Sequence, residues 1–159
     1  MNKRAILKKI VTKLTDEREV HLRAAKYSRD EATHEQNKPE NKYDTRGLEA
    51  SYLARGQSRQ LAELETAIVE FGQLTVRKFT ADDVIGVGAL VELEMMGEKN
   101  FYFIGPRAGG TEVIHDKKEV LVITPQSPLG EQLAGKKAGE KPALKFGGEV
   151  RPAKIVSVE

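Results

Sequence analysis

The first part of the chain has the hydrophobic pattern of a long helix. Residues 3–36 contain no Pro or Gly, which suits an uninterrupted helix. Apolar residues recur there at helical spacing, at Ile6, Ile10, Val11 and Leu14, then more sparsely at Leu22, Ala25 and Ala32. The pattern stops at "NKP", because Pro39 disfavours the helical conformation at Lys38. We therefore predict a first helix that ends just before a turn near Lys38.

A second helical pattern follows the proline, over residues 39–71. Its last apolar positions follow the 3-4-3 spacing of a coiled-coil seam, at Leu61, Leu64, Ile68 and Phe71. Each arm has about 33 residues, or roughly 50 Å at the helical rise per residue. Two arms of matched length joined by a few residues predict an antiparallel helical hairpin over residues 1–74.

After residue 75 the pattern changes to short β-rich runs bounded by Gly, Pro and Asn. These runs are "VGALVELEMMG", "KNFYFIGP", "TEVIHDKKEVLVITPQ" and "GGEVRPAKIVSVE". Between the last two, "SPLGEQLAGK" predicts a short helix with Ser127 as its N-cap and Pro128 at its first position. Residues 76–159 are thus predicted to form a compact α+β domain.

The amino-acid composition excludes several kinds of bond, site and targeting segment. The chain has 159 residues and no cysteine, which excludes disulfides and thiolate metal sites. No run of 18 apolar residues occurs, and "MNKRAILKKIVTKL" lacks the apolar stretch of a signal peptide. We therefore expect a soluble, cytoplasmic protein without a membrane partner.

Charge is segregated along the predicted hairpin. Residues 1–29 carry nine Lys or Arg against three Asp or Glu, a net charge of +6, and residues 30–49 carry a net charge of −3. The acidic stretch, near residues 35–49, coincides with the predicted tip. Glu40 and Asp44 are four residues apart, so a helix would place both carboxylates on one face. A helix N-terminus also favours such charges, so helix stabilisation alone is an alternative explanation.

Independent enzymatic activity is not expected. His21, His34 and His115 show no metal-ligand spacing, and no set of nucleophile, base and orienting group stands out. Residues 130–137, "GEQLAGKK", approach a phosphate-binding loop, but Lys137 replaces its metal-binding hydroxyl. The isolated protein is therefore expected to have no metal and no cofactor.

One segment resembles a known family. "SPLGEQLAGKKAGE" is similar to the S-P-hydrophobic-x-x-x-L-x-G-K-x-x-G-[DE] segment of the Gre transcript-cleavage factors. The matching residues are Ser127, Pro128, Leu129, Leu133, Gly135, Lys136, Gly139 and Glu140. "VGALVELE" and "GGEVRPAKIVSVE" also resemble the opening and closing strands of the family's C-terminal domain.

The resemblance implies an FKBP-like C-terminal domain and a partner, bacterial RNA polymerase. The domain would dock at the rim of the polymerase secondary channel, and the hairpin would enter the channel to modulate transcript cleavage and elongation. Residues expected to contact polymerase or, indirectly, the nascent RNA 3′ end are Lys8, Lys13, Arg18, Arg23, Lys26, Arg29, Ser127, Pro128, Leu133 and Lys136. Lys9 belongs to the same basic stretch.

The tip is similar to the family pattern D-x-S-E-N-x-[ED]-Y but departs from it. In "NKPENKYD", Glu40 and Asn41 match the E-N pair, whereas Asn37 stands at the first acidic position. Tyr43 and Asp44 invert the acidic–Tyr order. The resemblance implies that tip carboxylates, here Glu40 with Asp44, share the polymerase-bound magnesium and so act as accessory catalytic groups.

Three functions stay open at this point. The first is a factor that stimulates transcript cleavage, and the second is a channel regulator that modulates or inhibits transcription without cleavage, which Asn37 favours. The third is a prolyl isomerase with a helical extension, suggested by the expected domain fold alone. The few aromatic residues of residues 76–159 argue against it, namely Phe79, Phe101, Tyr102, Phe103 and Phe146.

Overall fold

The computed structural model describes the backbone of residues 1–33 and 46–159, and the side chains of residues 1–27, 29–31, 33 and 55–159. Helix α1 spans Lys3–Thr33 and helix α2 spans Arg46–Gln73. Strands β1 (Leu90–Met95), β2 (Glu98–Ile104), β3 (Glu112–His115) and β4 (Lys118–Ile123) follow. Helix α3 (Pro128–Leu133) precedes strands β5 (Ala143–Phe146) and β6 (Glu149–Val158). The predicted α+β class is confirmed.

The two long helices run antiparallel. Arg18 Nε lies 3.9 Å from Glu65 Oε1, and His21 Nδ1 lies 3.2 Å from Gln57 Oε1. Moving forward along α1 therefore means moving backward along α2. Helix α1 begins where the Asn2 side-chain oxygen accepts a hydrogen bond from Ala5 N at 3.1 Å, which caps a free backbone donor.

The strands form one mixed sheet in the order β3-β4-β2-β1-β6-β5. Neighbouring strands are antiparallel except for β2 and β4, which pair in parallel from Phe101 opposite Val120 to Ile104 opposite Ile123. A bulge between Glu92 and Leu93 shifts the register of β1 against β6. Parallel strands need a crossover connection between them. The chain between β2 and β4, which includes β3, forms this connection.

Both faces of the central strand β2 are buried, from Phe101 to Ile104. Successive side chains of a strand point to opposite faces. Tyr102 and Ile104 join the main core cluster, which includes Val91, Leu93, Leu133 and Ile155. Phe103 points the other way and meets Phe71 of α2, with ring centroids 6.3 Å apart. The sheet therefore packs against α3 on one face and against the end of α2 on the other.

The β-rich run "TEVIHDKKEVLVITPQ" contains two strands, β3 and β4. Asp116 and Lys117 both have positive φ, at 50° and 61°, and make a two-residue turn between β3 and β4. Such a turn prefers Asn, Asp or Gly at its first position and Gly at its second, so Asp116 fits the pattern and Lys117 departs from it. Strand β5 lies outside the predicted β-rich runs. It pairs with β6 across Gly147 and Gly148, which also have positive φ.

The chain divides into two compact units, one of Met1–Val11 with Glu70–Glu159 and the other of Thr12–Val69. The first turns of α1 and the end of α2 thus belong with the sheet. The boundary near residue 75 and the FKBP-like character of the C-terminal domain remain predictions. Over residues 1–33 and 46–159, no helix has the length and apolar character needed to cross a membrane.

Candidate functional site

The predicted tip carboxylates, Glu40 and Asp44, lie outside the described residues. Helix α1 is described to Thr33 and α2 from Arg46, so the intervening segment joins the two antiparallel helices. Their placement on one face and their role in holding magnesium remain predictions. Within the described part of the chain, no group of three or more His, Asp or Glu is arranged to hold a metal ion.

The basic residues of α1 do not form one cluster of equivalent side chains. Arg23, Lys26 and Arg29 are exposed on the unit Thr12–Val69. Arg18 is half-buried and lies near two carboxylates, with Nη2 at 3.4 Å from Glu19 Oε1 and Nε at 3.9 Å from Glu65 Oε1. Part of its charge therefore helps to hold α1 against α2, and the exposed residues are better suited to meet a partner.

Lys8 and Lys13 complete the predicted basic set. Lys8 is exposed on the unit that contains the sheet, whereas Lys13 is half-exposed on the other unit. Lys9, also on the sheet unit, donates from Nζ to the Ile114 carbonyl at 2.6 Å. Lys9 thereby occupies an acceptor of strand β3, which forms one edge of the sheet.

The residues of the Gre-like segment begin by capping α3. Ser127 Oγ accepts from Gly130 N at 3.1 Å and donates to the Thr124 carbonyl at 2.7 Å. Pro128 follows in the first turn, where a missing N–H is harmless. The predicted N-cap and first helical position are thus found in the structure, and Pro128 is exposed while Ser127 is half-exposed.

Gly130 and Leu133 fix this helix against the sheet. A Cβ at Gly130 would lie 1.8 Å from the Thr124 carbonyl oxygen, so any larger residue forces the helix away. Leu133 is fully buried in the main core cluster. Its side chain is therefore not at the surface, and any effect it has on docking must pass through the shape of the domain.

The last residues of the segment make hydrogen bonds with backbone groups of the domain. The Lys136 carbonyl accepts from Ile85 N at 2.8 Å, and its side chain is half-exposed. Gly139, with φ of 87°, donates from its N–H to the Ile155 carbonyl at 2.8 Å. Glu140 Oε1 accepts from Lys137 N at 2.8 Å. The segment thus builds the domain, and of its residues predicted to contact polymerase, Pro128 is exposed while Ser127 and Lys136 are half-exposed.

The start of α1 is fixed by a buried lysine that the sequence did not single out. Lys3 is only 7% exposed, and its ammonium donates to the Gly88 carbonyl at 3.2 Å and to the Arg77 carbonyl. Burial lowers the pKa of Lys3, while the Glu159 carboxylate opposes that shift and Arg77 adds to it. Its ammonium also lies 4.5 Å from the centre of the Phe79 ring.

The segment that follows α2 contains a turn that the Asp83 carboxylate stabilises. Asp83 accepts from Thr80 N at 2.7 Å and from Thr80 Oγ1 at 2.8 Å, and Arg77 Nη1 donates to it at 3.1 Å. These bonds, that from the Thr80 backbone first, lower the pKa of Asp83 from 3.8 to about 2. Ionised Asp83 therefore stabilises this turn.

The stability contribution of Asp83 should disappear in acid. A carboxyl whose folded pKa is about 2 against 3.8 stabilises fully above pH 4 and loses that effect as the pH falls toward 2. We expect Asp83→Asn to be less stable than wild type at pH 7 and the difference to shrink between pH 4 and pH 2. Urea unfolding at each pH measures it. A constant difference over that range would contradict the assignment.

The aromatic residues noted for the isomerase alternative are mostly in the core. Phe101 and Tyr102 are each 8% exposed and Phe103 is 1% exposed. A cleft of about 360 Å³ opens beside Phe101 and Tyr102, but it is also lined by Lys99, Lys117 and Lys118. The Lys118 ammonium lies 4.8 Å from the centre of the Phe101 ring. This cleft is basic, unlike the aromatic pocket that proline recognition favours.

Comparison with known proteins gives matches among solved structures only. No protein-family model matches the chain, and no curated protein matches it. The GreA factor homolog 1 (Gfh1) of Thermus thermophilus is similar at 20% identity, with 94% of each chain covered and a TM-score of 0.38. The Thermus aquaticus Gfh1 is similar at 22% identity, with 95% of this chain and 92% of that chain covered and a TM-score of 0.41.

A third solved structure, the prokaryotic transcription elongation factor GreA/GreB from Nitrosomonas europaea, is similar at 19% identity. The match covers 70% of this chain and 91% of that chain, with a TM-score of 0.36. The names of these neighbours agree with the family that the sequence resembles. The sequence identities and the TM-scores are low, so the function proposed below rests on this chain's own residues.

Proposed function

We propose that the protein is a bacterial RNA-polymerase-binding transcription elongation factor of the Gre type. Its helical pair would enter the polymerase secondary channel with the acidic segment foremost, and its sheet domain would hold it at the channel rim. The observation that carries this proposal is the Ser127–Glu140 segment, whose match to the Gre pattern coincides with a defined structural element. Ser127 caps α3, Leu133 fills the core and Gly139 makes a positive-φ turn.

The long helices suit such a role. They run antiparallel, with Arg18 of α1 near Glu65 of α2. An antiparallel pair brings the connection between its helices to one end, and that connection carries Glu40 and Asp44. The exposed Arg23, Lys26 and Arg29 would face the extruded RNA or acidic channel walls.

The chemistry would belong to the polymerase. Phosphodiester hydrolysis by two metals holds the ions about 3.5–4 Å apart, where they stabilise the attacking and leaving oxygens. Carboxylates delivered through the channel would complete the more weakly held magnesium site, because hard cations prefer oxygen ligands. Glu40 and Asp44 would then supply ligands and orient water. The protein would act in the cytoplasm and have no activity alone.

An RNA-cleavage assay on backtracked polymerase complexes tests this proposal. Complexes carrying 3′-extruded, labelled RNA are incubated with magnesium, with and without the protein. We expect faster release of the 3′ fragment in its presence. An unchanged rate, together with no measurable binding to polymerase, would overturn the proposal as a whole.

A second candidate function is a channel regulator that binds in the same way without stimulating cleavage. Asn37 favours it, because the Gre pattern has an acidic residue at that position. Such a protein would not accelerate cleavage, but it would displace a cleavage-competent factor from polymerase.

Asn37→Asp distinguishes the two candidates. It restores a carboxylate three residues before Glu40, at the position where the Gre pattern has its first acidic residue. If wild type only competes, we expect this variant to gain cleavage stimulation in the same assay, and Asn37→Gln serves as the uncharged control. Absence of any gain would mean that more than one residue separates this tip from that of a cleavage factor.

A further inference from the structure

A surface groove of about 430 Å³ lies beside the first turns of α1. We call it the α1 groove and define it by its lining residues Arg4, Leu7, Lys8, Val11, Phe71, Gly72 and Val76. All of them belong to the compact unit that contains the sheet. Of the residues that line this groove, only Lys8 was predicted to contact polymerase.

The groove is formed by a second stripe on α1. Arg4, Leu7, Lys8 and Val11 follow the i, i+3, i+4, i+7 spacing of one helix face. The neighbouring stripe, which contains Ile6 and Ile10, is fully buried. Leu7 and Val11 are only half-buried, so this face of the helix presents apolar surface.

Gly72 leaves one border of the groove without a side chain. It is the last residue but one of α2, at the end of the helix, where glycine is less costly than in the interior. Its φ is not in the left-handed region, and a Cβ built on it would meet no atom within 4 Å. Neither backbone conformation nor internal packing requires glycine here. Because Gly72 lines the groove, a methyl group added here would take up space at the border of the groove.

The charge of the groove indicates the kind of partner. Both charged residues that line it, Arg4 and Lys8, are basic and exposed. Within the described residues, neither makes an ion pair. An adjoining cavity shares Arg4 and Val76, and both the basic Lys78 and the acidic Glu159 also line it. The apolar floor favours a protein segment over RNA, because phosphates gain nothing from Leu7 and Val11.

We propose that the α1 groove binds an acidic, amphipathic segment of RNA polymerase, and this rests on the proposed function. Apolar side chains of that segment would seat on Leu7, Val11 and Val76, and its carboxylates would pair with Arg4 and Lys8. The α1 face from Arg4 to Val11 is about 10 Å long, which matches roughly two turns of a helix. The groove is thus a docking surface separate from the hairpin tip and from Ser127 and Pro128.

Gly72→Ala tests the groove with a matched control in the same helix. Gly56 of α2 also has open space around a built Cβ, but it does not line the groove. We expect both alanine variants to be at least as heat-stable as wild type. Affinity for purified bacterial core RNA polymerase should fall about tenfold for Gly72→Ala, because the methyl group overpacks the contact, and stay unchanged for Gly56→Ala.

A charge-reversal pair tests the partner's chemistry. Arg4→Glu with Lys8→Glu should lose polymerase binding by tenfold or more, whereas Lys141→Glu with Lys154→Glu, both exposed in the sheet domain, should not. Affinities of Gly72→Ala and the Arg4/Lys8 variant within twofold of wild type would overturn the groove proposal and leave the proposed function standing. Failure of wild type itself to bind polymerase would overturn both.

Nucleic acid is the other macromolecule that a basic groove attracts, and it is distinguished directly. A fluorescent, short single-stranded RNA is titrated with the free full-length protein, wild type and the Arg4→Glu, Lys8→Glu variant. We expect no difference between the two proteins. RNA binding by wild type that is lost in the variant would assign the groove to nucleic acid and overturn the proposal.

Discussion

Glu40→Ala is expected to abolish stimulated RNA cleavage while leaving the affinity for polymerase within a few fold of wild type. A carboxylate that holds the second magnesium acts mainly in the transition state, so its removal lowers the cleavage rate far more than binding. We expect a loss of about a hundredfold or more in the stimulated rate. Single-turnover cleavage at saturating protein, together with an equilibrium binding titration, measures the two effects separately.

The double variant Glu40→Gln with Asp44→Asn is the control for shape. It keeps the side-chain sizes and removes both charges, so it should fail to stimulate cleavage as fully as Glu40→Ala. Cleavage retained in this variant would show that the carboxylate charge is not what acts on the metal. Equal losses of binding and cleavage would assign Glu40 to docking instead.

Gly130→Ala is expected to have the largest effect on stability. Its Cβ would lie 1.8 Å from the Thr124 carbonyl oxygen and 2.9 Å from Ser127 Oγ, so the first turn of α3 must move and the Ser127 cap must break. Overpacking of this kind costs about 3 kcal/mol. For a domain of this size we expect the melting temperature to fall by about 10 °C or more.

Gly86→Ala is the matched control in the same domain. Gly86 has no positive φ, and a Cβ built there meets no atom within 4 Å. We expect its melting temperature to stay within a few degrees of wild type. A similar loss in both variants would show that α3 is not held by the close approach at Gly130.

The sequence was sufficient for the elements whose signals are local. The absence of Pro and Gly before residue 37 marked α1, which begins at Lys3 as predicted. Ser127 and Pro128 marked the start of α3 because capping depends on residues a few positions apart. Two helical patterns of matched length, joined by a few residues, predicted the antiparallel pair. The contact of Arg18 with Glu65 agrees with this prediction.

Features that depend on distant contacts were not predictable. The Asp116–Lys117 turn lacks the Gly at its second position that would reveal it, and β5 is only four residues long. The Gly147–Gly148 pair was the available signal for that hairpin. Leu133 looked like a docking residue because a family match does not separate core positions from surface positions, and only the structure shows its burial.

The α1 groove was missed for a related reason. Two apolar stripes overlap on the first turns of α1, and the sequence alone does not say which one the sheet covers. The structure buries Ile6 and Ile10 and leaves Leu7 and Val11 half-exposed. The available signal was the helical spacing of Arg4, Leu7, Lys8 and Val11.

Cross-linking from the tip tests the central claim most directly. A photoreactive amino acid replaces Lys42, between Glu40 and Asp44, in the full-length protein bound to bacterial core RNA polymerase, and mass spectrometry locates the cross-links. We predict cross-links to polymerase residues around the catalytic magnesium, which an excess of unmodified protein suppresses. Cross-links confined to the outer surface of polymerase, in complexes that bind with wild-type affinity, would contradict the account.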